Sequence, residues 1–198
     1  MGWETIIALA GFALASTWTP GPNNMMLASS GATFGFRRTL PHALGVALGF
    51  PVMLFLIALG LGEAFKRAPA FGAALGWVGC GVMLWLAWRI ATARAAGSRR
   101  RPRPLSFAEA SAFQWINPKA WVMSIGVSAS FATGARPVLE AAVAAGIFVL
   151  SGLSSAPGWA AFGAGLGRLL GDGWRLRAFN IAMAALLAAS ALWLVLDA

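Results

Sequence analysis

Trp18-Thr19-Pro20-Gly21-Pro22-Asn23-Asn24 is the stretch whose residue types point most directly to chemistry. It sits inside an apolar run from about Ile6 to Ala32. Two prolines around a glycine cannot continue an α-helix, because each proline lacks a backbone donor and clashes with the preceding turn. Lipid offers no partner for the freed backbone groups, so such a break is tolerated only against protein or a wet cavity. A broken helix at mid-membrane is the usual setting of a transporter binding site. The half-helix after the break exposes unpaired N–H groups and a partial positive charge, which attract an anion such as a carboxylate. The side chains of Asn23 and Asn24 can donate and accept beside it. The structural alternative is that Asn23 only caps its own helix.

A second constellation is Asn117-Pro118-Lys119. If its segment spans Leu105 to Phe131, Lys119 lies near mid-membrane. A lysine there costs about 2.5–3.5 kcal/mol on insertion scales and asks for a partner or a wet cavity. It could bind a carboxylate, or lose its proton and take part in coupling. If the segment instead starts at Pro118, Lys119 is a cytoplasmic anchor that snorkels. Other polar residues read more plainly. Glu109 reads as a solvated residue balancing the basic loop, with Gln114 nearby. Glu63 and Glu140 read as exposed at segment ends. His42, the only histidine, reads as a hydrogen-bonded or interfacial residue. Ser151, Ser154 and Ser155 could line a cavity or bond across helices. The glycines at 76, 79 and 81, and at 163, 165 and 167, read as close helix packing.

Composition supplies the frame for these residues. The chain has 198 residues, 59% hydrophobic and 11% charged, with mean hydropathy +0.74. A soluble domain carries about a quarter charged residues; this is an integral membrane protein. One cysteine, Cys80, excludes an internal disulfide and a thiolate cluster. Ten tryptophans and no tyrosine leave interfacial anchoring to tryptophan. The net charge of +9 comes from short loops between apolar runs, a topology pattern and not a nucleic-acid surface. Ala13-Leu14-Ala15 resembles a signal-peptidase site, but no Lys or Arg precedes it, so it is read as part of the first span.

Six apolar segments, each near the roughly 20 residues that cross a bilayer, are visible. They run from about Thr5 to Thr33, Leu40 to Leu61, Phe71 to Ile90, Leu105 to Phe131, Val138 to Leu166 and Leu176 to Leu196. The first is interrupted at Pro-Gly-Pro and the fourth at Asn117-Pro118, and the fifth has a weak point at Ala156-Pro157-Gly158. With the N-terminus outside, Arg37, Arg38, Arg89, Arg94, Arg99, Arg100, Arg101, Arg103, Arg168, Arg175 and Arg177 face the cytoplasm. Only Lys66, Arg67 and Arg136 face out. The positive-inside rule therefore favours six spans with both termini outside, whereas five spans would set the two halves of the charge pattern in conflict.

Three spans separate the two breaks, so the second half is inverted relative to the first. A shift of 97 aligns Trp18 with Trp115, Met26 with Met123 and Gly49 with Gly146. The expected fold is an all-α integral membrane protein of six transmembrane helices. It is a 3+3 inverted repeat with broken helices one and four. It forms one transporter domain over 1–198, with halves about 1–92 and 105–198 around a basic cytoplasmic loop at 93–104. The alternative is that the prolines merely kink packed helices.

Thr19-Pro20-Gly21-Pro22-Asn23, then Gly31, Gly35, Gly45, Gly49 and Gly79, then the basic loop and Phe113-Gln114-x-x-Asn117-Pro118-Lys119-Ala120, resemble the LysE/RhtB family of amino-acid exporters. The resemblance covers the whole chain. It implies a bacterial inner-membrane exporter of amino acids or close derivatives, driven by the proton or membrane potential. Members differ in substrate, so it names no cargo.

The resulting expectation is a secondary exporter moving a small zwitterion outwards by alternating access. Pro20, Gly21 and Pro22 unwind span one, with Asn117 and Pro118 forming the matching break. Asn23, Asn24 and Lys119 bind the cargo carboxylate, and Trp18 and Trp115 wall the cavity. No nucleotide motif is present and no cofactor is expected. The partners are a small molecule and the bilayer, without nucleic acid, and a homodimer is compatible with such a chain. A divalent metal ion exporter is the alternative, but it needs intramembrane Asp, Glu, His or Cys in numbers. An intramembrane enzyme would have only His42 to pair with a serine, and no aspartate pair.

Overall fold

The computed structural model describes residues 1–62, 69–93, 103–171 and 173–196. Glu63, Lys66, Arg67, Arg94, Arg99, Arg100, Arg101, Asp172 and Asp197, used in the charge and acid arguments above, lie outside the described residues. What is described is helical, with no strand among those residues.

Helix α1 (Trp3–Trp18) stops where Thr19 turns extended, at φ −63° and ψ 133°. Gly21 is extended too, and α2 (Pro22–Phe34) starts with proline at its first position, where no N–H is missed. Gly35, at φ 82°, reverses the chain into α3 (Phe36–Leu56). A π-helical turn over Ile57–Leu61 continues α3 to a kink at Gly60, φ 116°. Then come α4 (Pro69–Ala91) and the short α5 (Phe107–Phe113). Helix α5 opens with a reciprocal capping box between Ser106 and Glu109. A single 3-10 turn over Gln114–Ile116 leads to extended Asn117, and α6 (Pro118–Phe131) restarts the helix. Helices α7 (Pro137–Leu170) and α8 (Trp174–Leu196) complete the chain.

Among the described residues, four stretches are long and apolar enough to cross a membrane: Phe36–Gly60, Ala74–Ala91, Pro137–Leu170 and Trp174–Trp193. The broken pairs α1–α2 and α5–α6 are not among them, because each half is short by itself.

Helix α7 corrects one expectation. It runs unbroken through Ala156-Pro157-Gly158. A proline removes only one ladder bond, and α7 is buried along Ser151, Gly152, Ser155, Ala156 and Ala160 on both sides of that point. Packing on α2 and α3 holds the axis where local chemistry would loosen it.

Small residues bring these backbones together. A Cβ on Gly31 would lie 2.1 Å from the carbonyl oxygen of Ala160, and one on Gly163 would lie 1.9 Å from that of Ala28. Gly167 meets Ala32 in the same way at 2.4 Å. Such approach is how helices associate when lipid supplies no hydrophobic drive. At Gly165, Gly76 and Gly81 an added Cβ would meet nothing within 4 Å among the described residues, contrary to the close packing expected there; of the 76/79/81 set Gly79 packs closely, on Ile116. Gly45 and Gly49 seat α5 on α3, against Phe107 and Ser111. The core beneath the two breaks gathers Leu9, Phe50, Met53, Leu54, Val127 and Phe148, with the Phe50 and Phe148 rings edge-on at 5.2 Å.

Glu140 is also corrected. It is buried, 4% exposed, and accepts hydrogen bonds from the Thr133 hydroxyl and from the N–H groups of Thr133 and Gly134. The tight turn before α7 needs an acceptor for those donors, and Glu140 in the first turn supplies it.

Candidate functional site

The carbonyl groups of Thr17 and Thr19, at the end of α1, have no next helical turn to donate to them. Thr17 O accepts from Asn24 Nδ2 at 2.9 Å and from the Ser155 hydroxyl at 2.7 Å. Thr19 O accepts from Asn24 Nδ2 at 2.9 Å and from Lys119 Nζ at 2.7 Å. Ala15 O takes the N–H and the hydroxyl of Thr19. Asn24 therefore folds back to close the helix that precedes it, and it is buried in doing so.

Asn23 does not cap its own helix. The cap position is Gly21, without a side-chain bond. Instead Asn23 reaches across to the second break: its Nδ2 donates to Gln114 Oε1 at 2.9 Å, and Gln114 Nε2 donates back at 3.3 Å and to Ala110 O at 2.8 Å. Gln114 is fully buried. Asn117 caps α6, its Oδ1 accepting from the Lys119 N–H at 3.1 Å. The first-turn N–H groups of Asn23 and Asn24 donate to no acceptor among the described residues.

The two breaks therefore touch. A Cβ on Gly21 would lie 2.8 Å from the Lys119 side chain, so glycine here leaves the lysine its channel. Around them lies a cavity of about 520 Å³, open mouth included. Gly21, Asn23, Asn24, Asn117 and Lys119 line it, together with Thr17, Gln114 and Ser155, over an apolar floor that includes Phe50 and Phe148. A few converging polar groups on an apolar wall are the usual make-up of a small-molecule site. Pro20, Pro22 and Pro118 shape the breaks without lining the cavity.

The two tryptophans are not among the lining residues either. Trp18 is 45% exposed and lies against Gly158, with its indole N–H 3.4 Å from the Ser154 hydroxyl. Trp115 packs edge-on against Trp121, whose indole N–H bonds the Trp115 carbonyl. Their shared position in the two halves was visible in sequence; the direction each ring takes is set by its packing. Of the serines, Ser155 lines the cavity, Ser151 bonds Thr17 and Ala13 O, and Ser154 turns outward.

Gln114 and Ser155 were under-read in sequence, although Gln114 stands three residues before the second break. Asn180 was not singled out at all. It is 1% exposed and joins α8 to α2, accepting from Ser29 and donating to Thr33; a lone asparagine in an apolar run is the signal that marks it. Glu109 pairs with Arg103 at 2.6 Å and remains partly exposed, balancing the basic loop. His42 departs from expectation: it is 2% exposed and neither ring nitrogen has a partner among the described residues. Among the described residues no group of three or more His, Cys, Asp and Glu could hold a metal ion, so the metal-export alternative finds no ligand set there.

Residues 14–198 match the model of the family described as LysE type translocator. Among curated relatives, a cysteine/O-acetylserine efflux protein of Salmonella typhimurium is 38% identical over 123 residues, 61% of this chain and 62% of the relative. The Escherichia coli protein of the same description is 36% identical over 121 residues, 60% of each chain. The match thus spans about three-fifths of the relatives' length. No solved structure matches.

Proposed function

The chain belongs to the LysE type translocator family, and on that premise we propose that it is a secondary exporter of a small amino acid or close derivative. It is a multi-pass membrane protein, and its family points to a transporter and not an enzyme. The observation that carries the cargo class is the meeting of the two breaks at one cavity, lined by Lys119 and by Asn23 and Asn24 of the first turn of α2, whose backbone N–H groups have no acceptor among the described residues. A carboxylate there meets a cation and a helix N-terminus together. Asn23, Asn24, Asn117 and Gln114 supply donors and acceptors for the rest of a zwitterion.

In this reading Lys119 and Asn23 bind the carboxylate, while Pro20, Gly21, Pro22 and Pro118 keep the backbone unwound. Asn24 and Asn117 hold the two helix ends, and Trp18 and Trp115 flank the breaks. Each broken pair counts as one crossing, giving six spans, a 3+3 inverted repeat and both termini on the periplasmic face of the bacterial inner membrane. The charge pattern and the contact between the breaks support this. The transporter is one unit over 1–198, its halves about 1–92 and 105–198. Transport is by alternating access, with rocking of one half against the other opening the cavity to each side. The relatives' printed names make cysteine and O-acetylserine the first cargoes to try.

The test is counterflow in proteoliposomes loaded with unlabelled O-acetyl-L-serine. Labelled O-acetylserine should accumulate transiently, and cysteine should compete. A folded, reconstituted protein that gives no counterflow with either, nor with a panel of other amino acids, rejects amino-acid export.

A further inference from the structure

A second cavity lies beside the first, toward the arginine-rich end. It holds about 490 Å³, mouth included, with His42, Arg89, Arg103, Met26, Ser29 and Ser30 in its lining. On α3, His42 stands four residues before Val46, which lines the first cavity; on α2, Met26 stands three residues after Asn23, which also does. Residues three or four apart share a helix face about 5–6 Å apart. The two cavities are therefore successive positions along the same faces of α2 and α3.

Most polar groups in the second cavity are already engaged. Ser29 donates to Asn180 and Ser30 shares a bond with Thr39. Arg103 makes a two-pronged pair with Glu109 at 2.6 and 2.7 Å. Two groups are not. His42 is 2% exposed with both ring nitrogens unpartnered, an unfavourable state for buried donors and acceptors unless something fills it. Arg89, in the last turn of α4, lies over the Trp85 ring at 4.9 Å, and no carboxylate pairs with it among the described residues.

The geometry points to a second binding position in this cavity, where the carboxylate of a small amino acid meets Arg89 and His42 one helical turn before the Lys119 cavity. The guanidinium fork matches a carboxylate. A neutral imidazole donates from one nitrogen and accepts at the other, so His42 takes either a carboxylate oxygen or an ammonium proton. The cation of Arg89 in the lining attracts carboxylates to the cavity. That the ligand is an amino acid rests on the export reading above; that the position takes a small carboxylate does not.

Because His42 is the only histidine, its ring is a single-site reporter. The protein is labelled with ¹³C,¹⁵N-histidine, purified without a histidine tag and placed in nanodiscs. The ring resonances are followed during titration with O-acetyl-L-serine, acetate or inorganic phosphate. Phosphatidylcholine discs are compared with discs containing phosphatidylglycerol. We expect saturable shifts with O-acetylserine and acetate in phosphatidylcholine discs, and the same shifts in Lys119→Met. Arg89→Gln should need about tenfold more ligand, the loss of one charge-assisted contact. If that variant does not fold, Arg89→Lys keeps the charge without the fork and should weaken binding less than tenfold but measurably.

A ring unmoved by either carboxylate overturns the proposal. A ring that responds only to phosphatidylglycerol overturns it in favour of a lipid headgroup, and one that responds only to phosphate overturns the carboxylate class. Unchanged midpoints in folded Arg89 variants remove Arg89 from the position. Counterflow on the same preparations separates the two claims. Counterflow with an unmoved ring rejects this position alone, whereas acetate-dependent shifts without any counterflow reject export and leave the position standing.

Discussion

The Nζ of Lys119 donates to the carbonyl oxygen of Thr19 at 2.7 Å, across 100 residues of sequence. Thr19 ends α1, where unpaired carbonyls collect partial negative charge. The lysine therefore serves the broken helix whenever no anion competes for it. In the export reading proposed above, this one residue is both a fastener of the two breaks and the cation that an incoming carboxylate claims. Its partner and the cavity beside it are what a lysine within a membrane span requires.

Replacing this lysine should separate binding from insertion. Lys119→Met should lose about 1.5–3 kcal/mol of carboxylate affinity, the range for a charge-assisted hydrogen bond, while the protein still inserts. Lys119→Arg should recover part of it, because the longer planar fork directs its donors differently. Equilibrium binding to purified, monodisperse variants decides. Wild-type affinity in Lys119→Met would leave the residue as a fastener only.

Healing the first break should stop export without stopping folding. Alanines at Pro20, Gly21 and Pro22 remove each local reason to unwind, and a methyl at position 21 pushes on the Lys119 side chain. The triple variant should reach the membrane at near-normal yield and show no counterflow. Wild-type transport in that variant would take the break out of the mechanism.

The α2–α7 seam should be intolerant where the backbones touch and tolerant beside it. Gly163→Ala sets a methyl against the Ala28 carbonyl, whereas Gly165→Ala meets nothing within 4 Å. Overpacking costs about 1–3 kcal/mol, so Gly163→Ala should lower the unfolding midpoint in detergent clearly and Gly165→Ala should not. Equal midpoints would mean that the helices part without penalty.

Asn24 should matter through α1 and not through charge. Asn24→Leu keeps the branching pattern but strips one donor from Thr17 O and one from Thr19 O. A cost of about 1–3 kcal/mol is expected for leaving such acceptors short. Thermal unfolding measures it, and hydrogen exchange should locate the loosening at the end of α1. A variant as stable as wild type would show that water or lipid headgroups satisfy those carbonyls.

Topology can be read directly. Both termini are expected outside, because eleven of the loop arginines then lie in the cytoplasm. An alkaline phosphatase reporter fused after Ala198 should be active, and a fluorescent reporter that matures only in the cytoplasm should stay dark. The reverse pattern would sink the six-span reading.

By itself, the sequence determined the membrane class, the position of both breaks and the family. These rest on local chemistry that no packing can hide: proline has no N–H, and an apolar run with 11% charged residues has no soluble surface. Only the tertiary structure decided which groups meet. Pro157 looks like a break and is none, because α7 is braced along its length by α2 and α3. His42 reads as hydrogen-bonded or interfacial and is buried without a partner among the described residues, and Glu140 reads as exposed and closes a turn. Trp18 and Trp115 share a register yet take different packing partners. The pairing of Asn23 with Gln114, and of Lys119 with Thr19, depends on where two half-helices end in space. Hydrogen bonds form over about 3 Å, and residues about a hundred positions apart reach that distance only through the packing of every helix between them.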